Sequence, residues 1–217
     1  MAKKTASKKK SAARKVTKTS SKTSTARKGA VAKAAKKAAK KPVKTSAPRR
    51  PKGHAWQWSA VETAAAIRNG AISAVETVEA HLERMRAVNP KLNAVVVDLS
   101  EEALKAAHAA DKQRAKGGAL GLLHGVPITI KENVDYEGRP NFNGVPANKD
   151  YIAPSDAPVV RNLKKSGAIV IGLTNTPEFS FRGFTDNPLH GLTLNPWDPD
   201  ITCGGSSGGA GSAVAAG

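Results

Sequence analysis

Between residues 53 and 217 the apolar residues recur with helical spacing in some segments and form short continuous stretches in others. Ser59–Glu62 and Ser73–Glu76 each match a capping box, in which a serine and the glutamate three residues later satisfy the amides at a helix start. We expect the first helix to end near Asn69-Gly70 and the second at Asn89-Pro90, because glycine and proline terminate helices. A third helix is expected to begin at Ser100.

The short apolar segments between these helices have the length and the β-branched content of buried strands. They are Leu92–Leu99, Gly125–Ile130 and Gly167–Gly172. A further helix, capped by Ser155 or Asp156, is expected between the second strand and the third. Helices that alternate with short apolar strands indicate the α/β class, with helices layered on a sheet.

Residues 1–52 differ from the rest of the chain in composition. They hold 20 of the 35 lysines and arginines and none of the 17 aspartates and glutamates, so the net charge of +18 arises in this segment. The remainder carries 15 basic and 17 acidic groups. A segment of Lys, Ala, Ser and Thr cannot bury enough apolar surface to offset chain entropy. We therefore expect a disordered basic tail at 1–52, followed by a globular domain at 53–217.

The basic tail admits two interpretations. Val31–Lys41 resembles the tails of linker histones and has good helix propensity, which favours nonspecific binding of nucleic acid or another polyanion. The tail has no aromatic residue, so base-specific recognition is not expected. Alternatively, the tail is a solvated extension that only aids solubility or derives from cloning. Composition leaves both interpretations open.

Signals for a cellular compartment are few. A single cysteine excludes an intrachain disulfide framework and fits a reducing compartment. No stretch of 18 apolar residues occurs, so no membrane-spanning segment is expected. The lysine-rich start lacks the apolar core of a secretory signal, and a transit peptide would favour arginine over lysine. These features predict a cytoplasmic protein.

Two segments have the residue types needed for chemistry. Lys131 ends an apolar strand, where partial desolvation can lower the pKa of the amine and let it act as a base. Most lysines in such a position merely return the chain to solvent. The second segment, Cys203–Ser212, is rich in glycine and serine and precedes an alanine-rich stretch with helical character. It could be a flexible linker or a loop whose amides bind an anion at a helix start.

From Gly125 onward the chain resembles the amidase signature family. The motifs that carry the resemblance follow the family's order: Gly125–Asn133, Ala168–Phe179, Thr185–Gly191, Asn195–Asp198 and Gly204–Gly209. Upstream, the helices between Trp58 and Val97 are similar to the leading helices of the family. The resemblance implies an α/β/α layered domain around a mixed sheet, of which this chain holds the amino-terminal part and hence an incomplete sheet.

The resemblance also implies a triad of serine, cis-serine and lysine that hydrolyses carboxamides. Lys131 matches the base, and Ser206 matches the bridging serine, whose preceding peptide bond is typically cis. Gly205 and Ser207 would shape the loop, and Ser207 could form a direct hydrogen bond. A small-molecule amide would be cleaved through an acyl-enzyme to a carboxylate and ammonia or an amine. No cofactor or metal is implied, and a homodimer is compatible with the family.

The nucleophilic serine of the family has no match in this sequence. It lies well beyond the bridging serine in a glycine-rich turn, whereas the sequence ends at Gly217, eleven residues after Ser206. Ser212 is too close, and it falls where the family begins a helix. We therefore expect a truncated chain that has no amidase activity by itself, because an acyl-enzyme requires an acyl-accepting side chain.

Two other functions stay open. The A subunit of the glutamyl-tRNA(Gln) amidotransferase belongs to the same family and works on charged tRNA, which a basic tail would suit. Against this alternative, Thr176–Phe179 resembles the corresponding segment of general amidases. The second alternative is a nucleic-acid-binding protein that acts through its histone-like tail.

Residues close to the motifs are expected to have structural roles. The five histidines lack the spacing of metal ligands, and His190 would at most line a pocket wall. Glu132 stands where aspartate is common in the family, and Cys203 stands where proline is common. We expect Cys203 to be an unreactive thiol and Asn175 and Glu178 to organise loops and helix starts.

Overall fold

The computed structural model describes residues 49–217. Most of the predicted tail, including its histone-like stretch at 31–41, lies in residues 1–48 and therefore outside the described residues. Of the helices in the described part, none combines the length and the apolar character needed to span a membrane.

Contacts with the globular part begin within the segment that composition assigns to the tail. The Arg50 guanidinium donates hydrogen bonds to Ala71 O over 2.8 Å and to Glu76 Oε1 over 2.7 Å. The carbonyl of Lys52 accepts a hydrogen bond from Trp58 Nε1 over 2.9 Å. The last residues before Gly53 are therefore attached to the first helices.

Eight regular elements form the described part. The helices are α1 (Ala60–Arg68), α2 (Ala74–Leu92), α3 (Ser100–Ala115), α4 (Pro158–Lys165) and α5 (Gly208–Ala216). The strands are β1 (Val95–Asp98), β2 (Pro127–Lys131) and β3 (Ile169–Thr174). Single turns of 3-10 helix occur at Ala55–Gln57, Pro146–Asn148 and Glu178–Ser180.

Both predicted capping boxes are present at the starts of α1 and α2. Ser59 Oγ accepts the N–H of Glu62 over 3.2 Å, and Ser73 Oγ accepts the N–H of Glu76 over 3.0 Å. Each glutamate carboxylate returns a hydrogen bond to the N–H of its serine over 2.9 Å. The free amides at each helix start are thereby satisfied, as the sequence predicts.

The predicted end of α2 is wrong, because the helix continues through Pro90 to Leu92. Proline in the last turn removes only one hydrogen bond, and Leu92 is 9% exposed within a small apolar cluster. Asn93 then ends the helix in the left-handed conformation, with φ of 52°. Since Leu92 completes the helix, β1 begins at Val95 and is shorter than the predicted strand.

The predicted cap of α4 is also wrong. The helix begins at Pro158 after Ala157, and no side chain caps it. Asp156 instead binds Lys164 Nζ through both carboxylate oxygens and accepts the N–H of Glu137 over 3.0 Å. Because the ion pair occupies this carboxylate, proline at the first helical position provides the start by removing one free amide.

The three strands form a mixed sheet in the order β1-β3-β2. β2 runs parallel to β3 and β1 runs antiparallel to it, so β3 is the central strand. All six residues of β3 are buried. The mixed α/β sheet expected from the family resemblance is therefore confirmed.

The side chains of β3 contribute to two apolar clusters. Ile169 and Ile171 join the cluster formed by α1, α2 and α3, whereas Val170 and Leu173 join a cluster that includes Val160 of α4. Successive side chains of a regular strand point to opposite faces. The pairing with β2 shifts by one residue after Val170, because Ile128 and Thr129 pair with Val170 and Gly172, and this irregularity places Ile171 and Leu173 in different clusters. Helices thus cover both faces of the sheet, which leaves the carboxyl ends of β2 and β3 to form a site.

Candidate active site

Lys131 is the last residue of β2 and lies opposite Thr174, the last residue of β3. Its side chain is partly buried. Burial lowers the pKa of the Lys131 amine, and the carboxylate of Glu132 opposes this effect by raising it. Burial is the larger effect, so the neutral amine forms at a lower pH than in an ordinary exposed lysine.

The structure brings Lys131 to the two serines of the glycine-rich run. Lys131 Nζ lies 2.8 Å from Ser206 Oγ and 3.2 Å from Ser207 Oγ. The peptide bond between Gly205 and Ser206 is cis. All four residues expected from the family resemblance therefore meet at one place, although 75 residues separate Lys131 from Ser206.

Gly205 and Gly208 of the glycine-rich run pack closely against neighbouring backbone and side chains, which argues against the flexible-linker interpretation. A Cβ atom on Gly205 would lie 2.6 Å from both Arg182 O and Phe184 N. A Cβ atom on Gly208, the first residue of α5, would lie 2.3 Å from Thr185 Oγ1. The N–H of Gly208 donates to the same hydroxyl over 3.0 Å, so this amide at the helix start is not free to bind an anion.

A network of polar side chains holds the backbone of Ser206 from the end of β3. Thr176, which is fully buried, donates through Oγ1 to Ser206 O over 3.2 Å. The same hydroxyl lies 3.0 Å from Ser180 Oγ, which also contacts Asn133 Nδ2 and Asn143 Oδ1. The sequence indicated neither Thr176 nor Ser180 as a site residue, although both belong to the region around the Ala168–Phe179 motif.

Asn175 organises the adjacent loop, as the sequence predicts. Its fully buried amide donates to Gly191 O and Thr193 Oγ1, both over 3.0 Å. Its oxygen accepts a hydrogen bond from Asn187 Nδ2 over 2.7 Å. Glu178 starts a 3-10 turn and contacts Arg182 over 3.3 Å.

Glu132 and His190 form a contact that the sequence did not indicate. The Glu132 side chain is fully buried, and its Oε2 lies 2.9 Å from His190 Nε2. Its Oε1 accepts the N–H of Gly144 over 2.7 Å. His190 is therefore bound to the residue that follows Lys131, which is more than lining a wall.

The remaining hydroxyl and thiol of the run are engaged elsewhere. Ser212 is 1% exposed and donates to Leu194 O over 2.8 Å. The Cys203 thiol contacts Thr193 O over 3.3 Å, and burial raises its pKa. A raised pKa disfavours the reactive thiolate, which agrees with the predicted structural role of Cys203.

Within residues 49–217, no group of three or more His, Cys, Asp or Glu side chains is arranged to hold a metal ion. The model of the Amidase family matches residues 76–217. The chain belongs to the amidase family. This result confirms the resemblance found in the sequence.

Several members of the amidase family are similar to this chain. The indoleacetamide hydrolase of Bradyrhizobium diazoefficiens is 90% identical over 219 residues, which cover 100% of this chain and 42% of that protein. A fatty-acid amide hydrolase of Danio rerio is 42% identical over 166 residues, covering 73% of this chain and 32% of that protein. The glutamyl-tRNA(Gln) amidotransferase of Streptomyces coelicolor matches through its A subunit, with 40% identity over 158 residues that cover 73% of this chain and 32% of the relative. The chain thus spans less than half the length of each of these relatives.

A solved structure supports the same fold. The crystal structure of a bacterial aryl acylamidase of the amidase signature family superposes with a TM-score of 0.69 at 34% sequence identity. The match covers 73% of this chain and 33% of that chain. The layered sheet and the arrangement of helices described above are therefore those of the family.

Proposed function

We propose that this chain supplies the proton-transfer part of an amide-hydrolysing site, with Lys131 as the base and Ser206 as the bridging serine. The distance of 2.8 Å between Lys131 Nζ and Ser206 Oγ carries the proposal, because it allows direct proton transfer. The lowered pKa of the amine supports it, since only a neutral amine can accept a proton.

The chemistry follows from this contact. Neutral Lys131 takes the hydroxyl proton of Ser206, and the resulting alkoxide character lets Ser206 take a proton from a serine hydroxyl placed beside it. That hydroxyl attacks the amide carbonyl and forms an ester, and the proton returns through Ser206 to the departing ammonia. A water molecule then attacks the ester by the same proton route and releases the carboxylate. Ser212 is not proposed as the attacking group, because its buried hydroxyl is bonded to Leu194 O.

We further propose indoleacetamide as the substrate, with indoleacetate and ammonia as products. The support is the 90% identity to the indoleacetamide hydrolase of Bradyrhizobium diazoefficiens, which extends over the whole of this chain. The corresponding identity to the amidotransferase of Streptomyces coelicolor is 40%, so a role in forming glutaminyl-tRNA is the weaker alternative.

The test is ammonia release from indoleacetamide by the product of the full reading frame that contains this chain. We expect Lys131→Ala and Ser206→Ala each to lower kcat by about 100-fold or more, the range of a lost general base. Lys105→Ala removes an exposed lysine of α3 and should leave kcat unchanged. Full activity in Lys131→Ala would refute the proposed roles, and release of ammonia from glutamine but not from indoleacetamide would favour the amidotransferase.

A second proposal concerns the basic tail, which we infer binds nucleic acid without base specificity. The support is its charge, 20 basic and no acidic residues in 1–52. The alignment with the Bradyrhizobium diazoefficiens relative covers 100% of this chain at 90% identity. Even if every difference fell within the tail, more than half of the tail would be identical in the two proteins. This sharing disfavours a cloning-derived extension.

A further inference from the structure

The contact between Glu132 and His190 places a buried carboxylate directly after the proposed base. Glu132 is fully buried, and each of its carboxylate oxygens has one partner, the N–H of Gly144 at 2.7 Å and His190 Nε2 at 2.9 Å. The His190 side chain is 15% exposed, and the ring of Phe142 packs against it edge-on with centroids 5.2 Å apart. A buried carboxylate is costly unless it is paired, so His190 and the N–H of Gly144 together fix where this group points.

Hydrogen bonds continue from His190 to the other half of the site. The N–H of His190 donates to Asn187 Oδ1 over 2.7 Å, and Asn187 Nδ2 donates to Thr176 O over 2.6 Å. Thr176 Oγ1 in turn donates to Ser206 O over 3.2 Å. One continuous set of contacts therefore links the residue after Lys131 to the backbone of Ser206.

We propose that His190 is a positioning residue that holds Lys131 Nζ and Ser206 Oγ at proton-transfer distance by fixing the Glu132 carboxylate. The inference rests on the proposed function for its catalytic consequence. In the part of the chain that the structure describes, Glu132 pairs with His190 and forms no ion pair with Lys131. Without His190, Oε2 would lose its partner, and Glu132 already acts electrostatically on the Lys131 amine. A direct ion pair between Glu132 and Lys131 would favour the ammonium form and draw Nζ away from Ser206.

A second buried histidine provides a matched control. His124 is 2% exposed, and its Nε2 lies 3.1 Å from Ala110 O. It precedes β2, at the opposite end of the strand from Lys131, and its hydrogen bond reaches α3 instead of the site. Replacing His124 therefore measures the cost of losing a buried histidine without disturbing the proposed positioning.

The experiment compares His190→Ala, His190→Met and His190→Gln with His124→Ala in the full-length protein. Glutamine retains an N–H donor for Glu132, whereas methionine fills a similar volume without one. We expect His190→Ala and His190→Met to lower kcat on indoleacetamide at least 10-fold with KM within about 3-fold of wild type, and His190→Gln to recover kcat to within about 3-fold. His124→Ala should lower Tm but not kcat.

Crystal structures of the same variants give a readout that does not depend on activity. In His190→Met the distance between Lys131 Nζ and Ser206 Oγ should exceed 3.5 Å, and in His190→Gln it should stay near the 2.8 Å of the wild type. If His190→Ala does not fold, the comparison of His190→Met with His190→Gln tests the inference. Unchanged kcat and an unchanged distance in His190→Met, or equal losses in both variants, would overturn the inference. A wild-type protein without amidase activity would instead refute the proposed function, and the distances would still test the positioning.

Discussion

Lys131 and Thr174 are paired across the parallel strands β2 and β3, and each is the last residue of its strand. The pairing continues for one residue, because the N–H of Glu132 donates to Thr174 O over 3.0 Å. The chain that follows β3 then brings Thr176 to the carbonyl of Ser206. The carboxyl edge of the sheet therefore presents the proposed base on one strand and the support of the bridging serine on its neighbour.

In the product of the full reading frame that contains this chain, the pH dependence of the proposed hydrolysis should report the Lys131 amine. Its pKa lies below the usual lysine value because of burial, and the reaction needs the neutral form, so kcat/KM should rise as the pH increases through this pKa. Glu132 raises the pKa of Lys131, so Glu132→Gln should lower it further and move the rising limb to lower pH. A pH–rate profile of both proteins provides the measurement, and a shift of the limb to higher pH would contradict the assignment.

Gly205→Ala should disrupt the loop that carries Ser206. The added Cβ would lie 2.6 Å from Arg182 O and Phe184 N, and backbone atoms cannot rotate away as a side chain can. We expect a loss of about 1–3 kcal/mol in the free energy of unfolding, measured by denaturant titration. Gly183→Ala is the control, because no atom lies within 4 Å of its added Cβ. Equal free energies of unfolding for the two variants would show that the close packing at Gly205 does not contribute to stability.

Thr176→Val should remove the hydrogen bond that links Ser206 O to the segment after β3. Valine retains the branched shape but lacks the hydroxyl that contacts Ser206 O and Ser180 Oγ, so two partly buried partners each lose a hydrogen bond. The expected cost is about 1–3 kcal/mol of stability, together with a lower kcat. Thr176→Ser retains the hydroxyl and should preserve most of both quantities. If the valine variant has wild-type kcat, the contact with Ser206 O has no part in catalysis.

Removal of residues 1–48 should abolish nucleic-acid binding. This deletion leaves Arg50 and its contacts with Ala71 and Glu76 in place. For the intact chain, a plot of the logarithm of the binding constant against the logarithm of the salt concentration should have a negative slope of about 0.9 for each phosphate contacted. Lys105→Ala with Lys112→Ala, two exposed positions of α3, is the control for general charge loss. Binding that survives the deletion would locate the nucleic-acid site in the globular part.

The sequence correctly predicted those helix boundaries that depend only on residues close by in the chain. The capping boxes at Ser59 and Ser73 involve atoms three residues apart, so the sequence alone determined both helix starts. The end of α2 depended on a distant contact, because burial of Leu92 against α5 keeps the helix intact beyond Pro90. The start of α4 depended likewise on Asp156, which binds Lys164 instead of capping.

In the candidate site too, some residues could be predicted from the sequence and others could not. Motifs of the family identified Lys131, Gly205, Ser206 and Ser207, and the structure brings these residues together. The contact of Glu132 with His190 joins residues 58 positions apart in segments without periodicity. Glu132 follows a lysine, and His190 lies in a loop. Neither position indicates in the sequence that the two side chains form a contact. Only the parallel pairing of β2 with β3 and the fold of the following loops bring them within reach.

Burial of β3 on both faces has a consequence for how the molecule fluctuates. Amide protons in a strand that is hydrogen-bonded on both sides and covered by helices exchange with solvent mainly when the whole domain opens. Phe179 and Phe181 lie a few residues further along and are 55% and 89% exposed, so the backbone around them should exchange through small local openings. The end of β3 that pairs with Lys131 should therefore exchange far more slowly than the segment around Phe179 and Phe181, although only a few residues separate the two.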